Sequence, residues 1–165
     1  MPLNESFIAE LEQEAKATRR LLERVPIDKS DWKPHEKSMS LGRLASHVAE
    51  ISGWVTTTLD TDELDFAKID YKPVIAKTNE ELLQIFEDNH SKAIKSLKNA
   101  KDEDFFKNWT LRNGEQVYLT MPKIAVLRSF AYSHQIHHRG QLTVFLRLNG
   151  VPLPGIYGPT ADEPM

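Results

Sequence analysis

The sequence predicts an all-α fold, a four-helix bundle with a small β-hairpin between helices three and four. Four segments repeat apolar residues at alternating spacings of three and four, which is the period of a helix with one buried face. Between the third and fourth segments, an Asn-Gly pair flanked by alternating residues predicts a tight hairpin. Four amphipathic helices with two longer connections favour a bundle, and a length of 165 residues suits a single domain over 1–165.

The first two predicted helices have clear boundary signals. Helix one runs from about Asn4 to Arg24 and stops before Pro26, because proline restricts the residue that precedes it. Helix two begins near Ser40, whose hydroxyl can accept a hydrogen bond from a free N–H at the helix start. The apolar stripes comprise Phe7, Ile8, Leu11, Ala15, Thr18 and Leu22 in helix one and Leu41, Leu44, Val48, Ile51 and Val55 in helix two.

The last two predicted helices are equally well marked. Helix three starts at Thr78, where Glu81 completes a capping box. Helix four runs from roughly Pro122 to Asn149, and Gly150 then supplies a C-terminal stop. The stripe of helix three comprises Leu82, Phe86, Ala93 and Leu97, with His90 between them.

The connections between helices have a different composition. Residues 28–38 and 60–77 are predicted to be polar connections without regular structure. The stretch from Trp109 to Leu119 is predicted to form the β-hairpin, with a type I′ turn at Asn113-Gly114.

Charge and composition exclude several classes of protein. A net charge of -3 and the lack of a dense Lys/Arg block leave no surface suited to nucleic-acid phosphates. No apolar run approaches the ~20 residues that span a bilayer. The first residues have no signal-peptide pattern, so we expect a cytoplasmic protein with no membrane partner. The absence of cysteine excludes disulfides, thiolate metal ligands and a cysteine nucleophile.

Two histidines of helix four, His134 and His138, are four residues apart and therefore project from one helix face. The stripe of Ile124, Leu127 and Ala131 continues onto both, so they are predicted to point into the bundle. A buried imidazole needs partners for its polar nitrogens. Separate hydrogen bonds or one shared metal ion would both meet this need, and the spacing alone leaves the two readings open.

Three further histidines lie on predicted helices. His47 is at the edge of the inward stripe of helix two, where it can complete a three-histidine metal site or stay half exposed. His90 lies on the inward stripe of helix three and is a candidate fourth ligand, proton-transfer residue or packing residue. His137 is about 100° around the helix from His138 and is predicted to lie outside the site.

The histidine-bearing segments resemble those of a known family. The matching stretches are Trp32-Lys-Pro, Ser40-Leu-Gly-Arg-Leu-Ala-Ser-His47-Val-Ala-Glu-Ile and His134-Gln-Ile-His-His138-Arg-Gly-Gln with the tail that follows. Over essentially its whole length the chain resembles the DinB-like superfamily, which includes the DinB and YfiT types. This resemblance implies an up-down-down-up bundle, a homodimer, and one divalent metal ion, commonly nickel or zinc, held by His47, His134 and His138.

Some relatives of that superfamily are thiol-dependent transferases or isomerases, and others are hydrolases. Three neutral imidazoles leave a metal ion able to activate bound water or to bind a thiol as thiolate. No carboxylate falls clearly on an inward stripe, and Glu14 and Glu50 at the stripe edges are predicted to be solvated or to orient a ligand histidine. We therefore expect a metal-dependent enzyme acting on a small molecule, with thiol transfer first, hydrolysis second and a non-catalytic metal-binding stress-response protein as the other class. His90 is the candidate for proton transfer.

The neighbours of the predicted ligands have expected roles as well. Gln141, one turn past His138, is expected to line the pocket or to bond a ligand ring. Arg139 is expected to point away from the stripe, toward a surface carboxylate or a dimer interface. Gly140 suggests a close approach by another helix or a ligand. The three tryptophans, Trp32, Trp54 and Trp109, are expected to be packing residues.

Overall fold

A computed structural model gives the structure of residues 2–164. Within these residues the chain is mostly helical, as predicted. The α-helices are α1 (Leu3–Leu22), α2 (Leu41–Glu50), α3 (Gly53–Asp60), α4 (Asn79–Asn99), α5 (Lys123–Val126) and α6 (His134–Leu148). A π-helical segment, Leu127–Ser133, joins α5 to α6 through residues of right-handed helical conformation. None of these helices is both long and apolar enough to cross a membrane.

The predicted helix starts are confirmed by their capping contacts. The Ser40 hydroxyl accepts a hydrogen bond from the Arg43 N–H at 3.2 Å, and α2 begins one residue later. The Thr78 hydroxyl accepts from the Glu81 N–H at 3.1 Å at the start of α4. The second predicted helix is in fact two helices, α2 and α3, because the chain turns at Ile51-Ser52 before Gly53.

Gly53 is required at the start of α3 because α4 approaches it closely. A Cβ atom at this position would lie 2.7 Å from the Asn89 Oδ1 atom. The Asn89 side chain is fixed in turn, since its amide nitrogen donates to the Ile85 carbonyl at 2.8 Å.

The predicted hairpin is confirmed, but it belongs to a three-stranded mixed sheet, so the all-α prediction was incomplete. The strands are β1 (Glu63–Asp65), β2 (Asn108–Asn113) and β3 (Gln116–Pro122), in the order β1-β2-β3. β2 and β3 pair antiparallel, and β1 pairs parallel to β2. β1 lies in the segment that was predicted to be irregular. A strand of three residues is too short to produce a readable alternation.

The turn of the hairpin differs from the predicted type. Its two loop residues are Gly114 and Glu115, because Asn113 pairs with Gln116. Gly114 has φ of 57° and no non-glycine residue in 2–164 has a positive φ. A positive φ at the first loop residue alone fits a type II′ turn and not type I′.

The segment between β1 and α4 is attached to the fold at both ends. At one end, the buried Asp65 carboxylate accepts from the Gly114 N–H at 2.9 Å and from the Ala67 N–H at 3.0 Å. At the other end, the Ala76 N–H donates to the Ser46 hydroxyl of α2 at 2.9 Å.

Two main clusters of buried apolar residues divide the helical core. One is built from α1, α2, α4 and α6, and the other from α1, α3, α4 and the π-helical segment. α4 packs against α1, α2 and α3, and α2 packs against α6. The up-down-down-up order of helix directions remains a prediction. Two of the tryptophans are packing residues as expected: Trp109 is fully buried, and Trp32 packs edge-on against Phe145.

Candidate metal centre

The three histidines that the sequence singled out lie together between α2 and α6. His47 is in the last turn of α2, His134 is the first residue of α6, and His138 follows one turn later. One ring nitrogen from each lies within 4.8 Å of the others. The Nε2 atoms of His47 and His134 are 3.2 Å apart, and all three rings are half-buried.

The donor set fits a divalent metal ion. Two nitrogens bound to one tetrahedral ion at ~2.0–2.1 Å are about 3.3 Å apart, close to the separation observed for His47 and His134. The Nδ1 atom of His134 lies 3.2 Å from the Phe130 carbonyl, and that of His138 lies 2.7 Å from the Gln141 Oε1 atom. Both acceptors require a proton on Nδ1, so they leave the Nε2 lone pairs of His134 and His138 free for a metal. The predicted contact between Gln141 and a ligand ring is therefore present.

The third ring has a carboxylate beside it. Glu50 Oε2 lies 3.8 Å from His47 Nδ1, which is too long for a hydrogen bond. The same oxygen accepts from Arg43 Nη1 at 3.1 Å. Burial raises the pKa of Glu50, but His47 and Arg43 outweigh it and lower the pKa below its ordinary value. Glu50 is therefore an ionised and partly buried group, not the solvated surface residue that was favoured from the sequence.

Burial keeps two of the ligand candidates in the form that binds metal. Burial lowers the pKa of His138 to about 4, against an ordinary value of 6.5. It lowers the pKa of His134 as well, in spite of the bond to the Phe130 carbonyl. Both imidazoles are neutral at pH 7, as a metal ligand has to be.

The π-helical segment explains how His134 obtains its partner. Hydrogen bonds run from residue i to i+5 in a π-helix and from i to i+4 in an α-helix, so one carbonyl is passed over where π changes to α. The change occurs at His134, whose N–H donates to the Ala131 carbonyl. The neighbouring Phe130 carbonyl accepts from the His134 ring at 3.2 Å. The sequence contained no signal for this segment.

The π-helical segment also explains why the orientation predicted for Arg139 was wrong. A constant helical period from Ile124 placed Arg139 on the outer surface. The wider turns of the π segment shift the buried face by about one position, and Leu127, Ala131, Gln135 and Arg139 are all buried. His134 and His138 lie at the edge of this face, toward α2 and His47.

Arg139 is 1% exposed and forms a buried ion pair with Glu14 of α1. Its guanidinium also donates to the Glu14 carbonyl at 3.0 Å and to the Thr18 hydroxyl at 3.1 Å. The hydroxyl of Tyr157, in the C-terminal segment, donates to the Glu14 carboxylate at 2.7 Å and contacts Arg139. Glu14 therefore joins α1, α6 and the C-terminal segment, and does not orient a ligand histidine.

The other candidate residues lie outside the three-histidine cluster. His90 stacks on Phe86, with ring centroids 5.9 Å apart, and burial lowers its pKa. Among residues 2–164 only His47, His134 and His138 form a cluster of metal-ligand type, so His90 is not in position as a fourth ligand. His137 is exposed, as predicted. No atom of the described chain lies within 4 Å of a Cβ placed on Gly140, so the close approach expected there does not occur within one chain.

A cavity of about 690 Å³ opens beside the histidines, and His47 and His134 form part of its wall. Glu50 lines the same cavity, together with Asn89 of α4. Most of the remaining wall is apolar and comprises Trp54, Leu64, Phe66, Ile69, Val74 and Ile85. Trp54 is thus a wall residue as well as a packing residue. The sequence did not predict this cavity, because four of these six residues come from the segment that was predicted to be a polar connection.

Comparison with known proteins agrees with this arrangement of fold and histidines. The family model described as "DinB family" matches residues 1–164. The chain belongs to the DinB family. The sequence-based assignment to this family is therefore confirmed.

Individual members of the DinB family are similar over nearly the full length. The uncharacterized protein YrdA of Bacillus subtilis (strain 168) is 29% identical over 157 residues, which cover 95% of this chain and 89% of YrdA. A DinB-like protein from Bacillus cereus ATCC 10987 has a TM-score of 0.72 at 19% identity, covering 94% of this chain and 98% of its own. The DinB-like protein YjoA from Bacillus subtilis has a TM-score of 0.71 at 19% identity, covering 97% and 99%. At this identity the two structures support the fold alone.

Proposed function

We propose that this protein is a divalent-metal-dependent enzyme for small molecules, and that its reaction is the transfer of a low-molecular-weight thiol to an electrophile. The observation that carries the proposal is the convergence of His47, His134 and His138 beside a cavity large enough for a substrate. The volume of about 690 Å³ falls within the roughly 300–1,000 Å³ typical of ligand pockets.

His47, His134 and His138 would hold one ion, with nickel or zinc as the expected metals. Neutral imidazoles leave the full charge of the ion in place. When bound, such an ion lowers the pKa of a coordinated thiol or water, so that a thiolate or hydroxide is present at neutral pH. Phe130 and Gln141 fix the ring orientation of two ligands, which preorganises the site.

In the proposed reaction the thiol sulfur forms a bond to an electrophilic carbon. The bond from that carbon to its leaving group breaks, and the leaving group takes the electron pair. The thiol proton passes to a base at the site or to solvent. Glu50 is a candidate base because it is ionised and lines the cavity beside His47. His90, the candidate from the sequence, is not among the residues that line the cavity, and its role in proton transfer remains a prediction.

Hydrolysis is the second candidate, and the position of Glu50 favours it. Sequence analysis preferred thiol transfer partly because no carboxylate lay on an inward stripe. Glu50 supplies a carboxylate next to the predicted ligands, where a metallohydrolase needs a general base. A non-catalytic metal site has less support, because a closed site needs a fourth protein ligand and His90 lies outside the cluster in the described residues.

The test is to load the protein with nickel or zinc and to assay it with cysteine and glutathione against a chromogenic aryl halide, alongside nitrophenyl esters. Activity that is lost on chelation and restored by the metal supports an enzyme. Glu50→Gln separates the two reactions: ester hydrolysis should lose at least tenfold in kcat, while thiol transfer with a preformed thiolate at pH 9 should change little. Inactivity with every substrate, with no exchangeable water on the bound metal, would favour the non-catalytic reading.

We further propose that the protein is a homodimer that uses the outer face of α6. Three exposed apolar residues of this helix, Ile136, Val144 and Leu148, are spaced by eight and four and so share one face. Gly140 lies between them on that face, and a Cβ placed on it would meet no atom within 4 Å in residues 2–164 apart from the adjacent residues of its own helix. A second copy of α6 could therefore approach closely at Gly140.

A further inference from the structure

The cavity beside the histidines also carries information about the compound that it binds. We propose that it binds an uncharged, largely apolar small molecule, whose reactive group lies at His47 and His134 and whose apolar body contacts the segment between β1 and α4. This inference rests on the proposed function, because it names the substrate class for the same site. The bound compound is the acceptor of the transferred thiol, or the ester if the reaction is hydrolysis.

The wall of the cavity is the first argument. Three apolar residues of one short segment are exposed: Phe66 is 39%, Ile69 41% and Val74 42% exposed. All three line the cavity. Clustered apolar surface of this kind is characteristic of a ligand site. An apolar body placed against these residues would remove their surface from water, which contributes roughly 25 cal/mol per Å².

The charges at the cavity are the second argument. Glu50 is already paired with the Arg43 guanidinium at 3.1 Å, and this guanidinium also donates to the Tyr71 hydroxyl at 2.9 Å. Neither group is left to pair with a charge on the ligand. The cation that lines the cavity, Lys92, is exposed, where solvent and salt screen its charge. Away from the three histidines, a charged group on the ligand would lose hydration on entry without gaining a buried counter-charge from the wall.

A polar group of the wall lacks a partner. The Thr56 hydroxyl is buried and makes no hydrogen bond within residues 2–164. Thr56 lines the cavity on α3, one turn from Gly53. A buried hydroxyl without a partner costs about 1–3 kcal/mol. The oxygen has almost no accessible surface, so a carbonyl, ether or amine on the ligand would pair with it only after the Thr56 side chain rotates toward the cavity. Such pairing favours an apolar compound with one hydrogen-bonding group over a pure hydrocarbon.

The experiment measures binding without turnover. N-phenyl-1-naphthylamine is uncharged and apolar, has one N–H, and becomes fluorescent in apolar sites. We expect saturable binding at one site per chain, in the presence and absence of zinc. In the absence of zinc, we expect binding at least tenfold weaker for its sulfonated analogue. Val74→Lys and Phe66→Lys place a charge in the wall and should weaken probe binding at least tenfold while metal stoichiometry stays at one.

Matched controls are available on exposed apolar residues away from the cavity. Val117 and Phe106 are 52% and 62% exposed and do not line it. Val117→Lys and Phe106→Lys should leave probe binding within twofold of the unchanged protein. Equal binding of the sulfonated analogue, or equal effects of the wall and control variants, would overturn the assignment.

The outcomes separate this inference from the proposed function. Wall-dependent probe binding without any thiol-transfer or esterase activity supports the cavity assignment and counts against the enzyme. Metal-dependent turnover that treats charged and apolar electrophiles alike, and that Val74→Lys does not change, supports the enzyme and overturns the cavity assignment.

Discussion

The Nε2 atoms of His47 and His134 lie 3.2 Å apart although 87 residues separate them in the sequence. The bond from His134 Nδ1 to the Phe130 carbonyl places the proton of that ring on Nδ1, so its Nε2 presents a lone pair to His47. His47 can meet this lone pair with the N–H of its own neutral ring, or both rings can present lone pairs to a bound cation. His138 would give such a cation a third nitrogen.

Replacing the predicted ligands tests this arrangement. His134→Ala or His138→Ala should abolish stoichiometric nickel or zinc binding, because two imidazoles compete poorly with water for the ion. Isothermal titration measures the stoichiometry. His137→Ala is the matched control, since it removes an exposed histidine from the same helix and should leave one ion per chain. Loss of metal in His137→Ala but not in His138→Ala would mean that the wrong face was assigned.

The pH dependence of metal binding follows from the lowered pKa values of His134 and His138. Three ordinary imidazoles with a pKa of about 6.5 would lose more than a hundredfold in affinity between pH 6.5 and 5.5. Burial lowers the pKa of two of the three ligands here, so we expect a clearly smaller loss over that interval. Competition titrations with a metal indicator at each pH measure the difference. A hundredfold loss would contradict the effect of burial on these rings.

The stability of the metal-free protein should change in the same direction. The unfolded imidazole of His138 titrates near 6.5 and the folded one at about 4. Its contribution to stability is complete above pH 6.5 and is lost as the pH falls from 6.5 toward 4, because the unfolded chain binds the proton first. Urea denaturation without metal at pH 7.5 and 5 compares the two states. His138→Gln should show a smaller decrease than the unchanged protein.

The π-helical segment can be tested by shortening it. Deletion of Ser129, an exposed residue of the segment, should restore α-helical bonding, in which a backbone N–H occupies the Phe130 carbonyl that the His134 ring uses. We expect a protein that remains helical by circular dichroism but binds zinc at least tenfold more weakly, the scale seen when a metal ligand loses its orienting partner. Ser129→Ala keeps the segment length and should bind zinc normally. Unchanged affinity in the deletion variant would show that the π geometry is dispensable.

The buried pair of Arg139 and Glu14 should matter for folding. Arg139→Met leaves the partly buried Glu14 carboxylate without its cation, which we expect to cost about 3 kcal/mol in the free energy of unfolding. Arg139→Met combined with Glu14→Gln removes both charges and should recover a large part of that loss. Urea denaturation gives both values. A cost below about 0.5 kcal/mol for Arg139→Met would mean that the carboxylate finds water or another donor.

The proposed dimer makes a prediction about mass in solution. Val144→Glu and Leu148→Glu each place a charge on the outer face of α6, and either should shift the mass measured by light scattering from a dimer to the single-chain 18.9 kDa. Val117→Glu, on an equally exposed residue of β3, should remain dimeric. A monomeric unchanged protein, or a dimer that survives both α6 variants, would exclude this interface.

The sequence predicted the helices and the histidines well because both depend on local spacing. The positions of His134 and His138 follow from one helical turn, and the N-caps at Ser40 and Thr78 follow from hydroxyls at helix starts. The orientation of Arg139 could not be predicted, because a change of helical period within one segment leaves no mark in the pattern of apolar residues.

Features that depend on contacts distant in sequence were also missed. β1 forms because its residues pair with those of β2, which lie far away in the sequence. Glu63, for example, pairs with Thr110. The cavity exists because the segment after β1 folds back toward α2, α3 and α4. Neither contact can be predicted from residues 60–77 themselves, because their apolar residues follow no sustained helical or strand period.

The attachment of that segment has a consequence for the divergence of related proteins. Asp65 holds one end and Ser46 holds the other, and neither residue belongs to the histidine cluster. Insertions or replacements in the segment from Asp65 to Ala76 can therefore accumulate at little cost in folding or in metal affinity. Paralogues with the same metal chemistry could therefore accept different compounds because this segment differs between them. For the same reason, changes in its length and sequence are the first to try when a new selectivity is engineered.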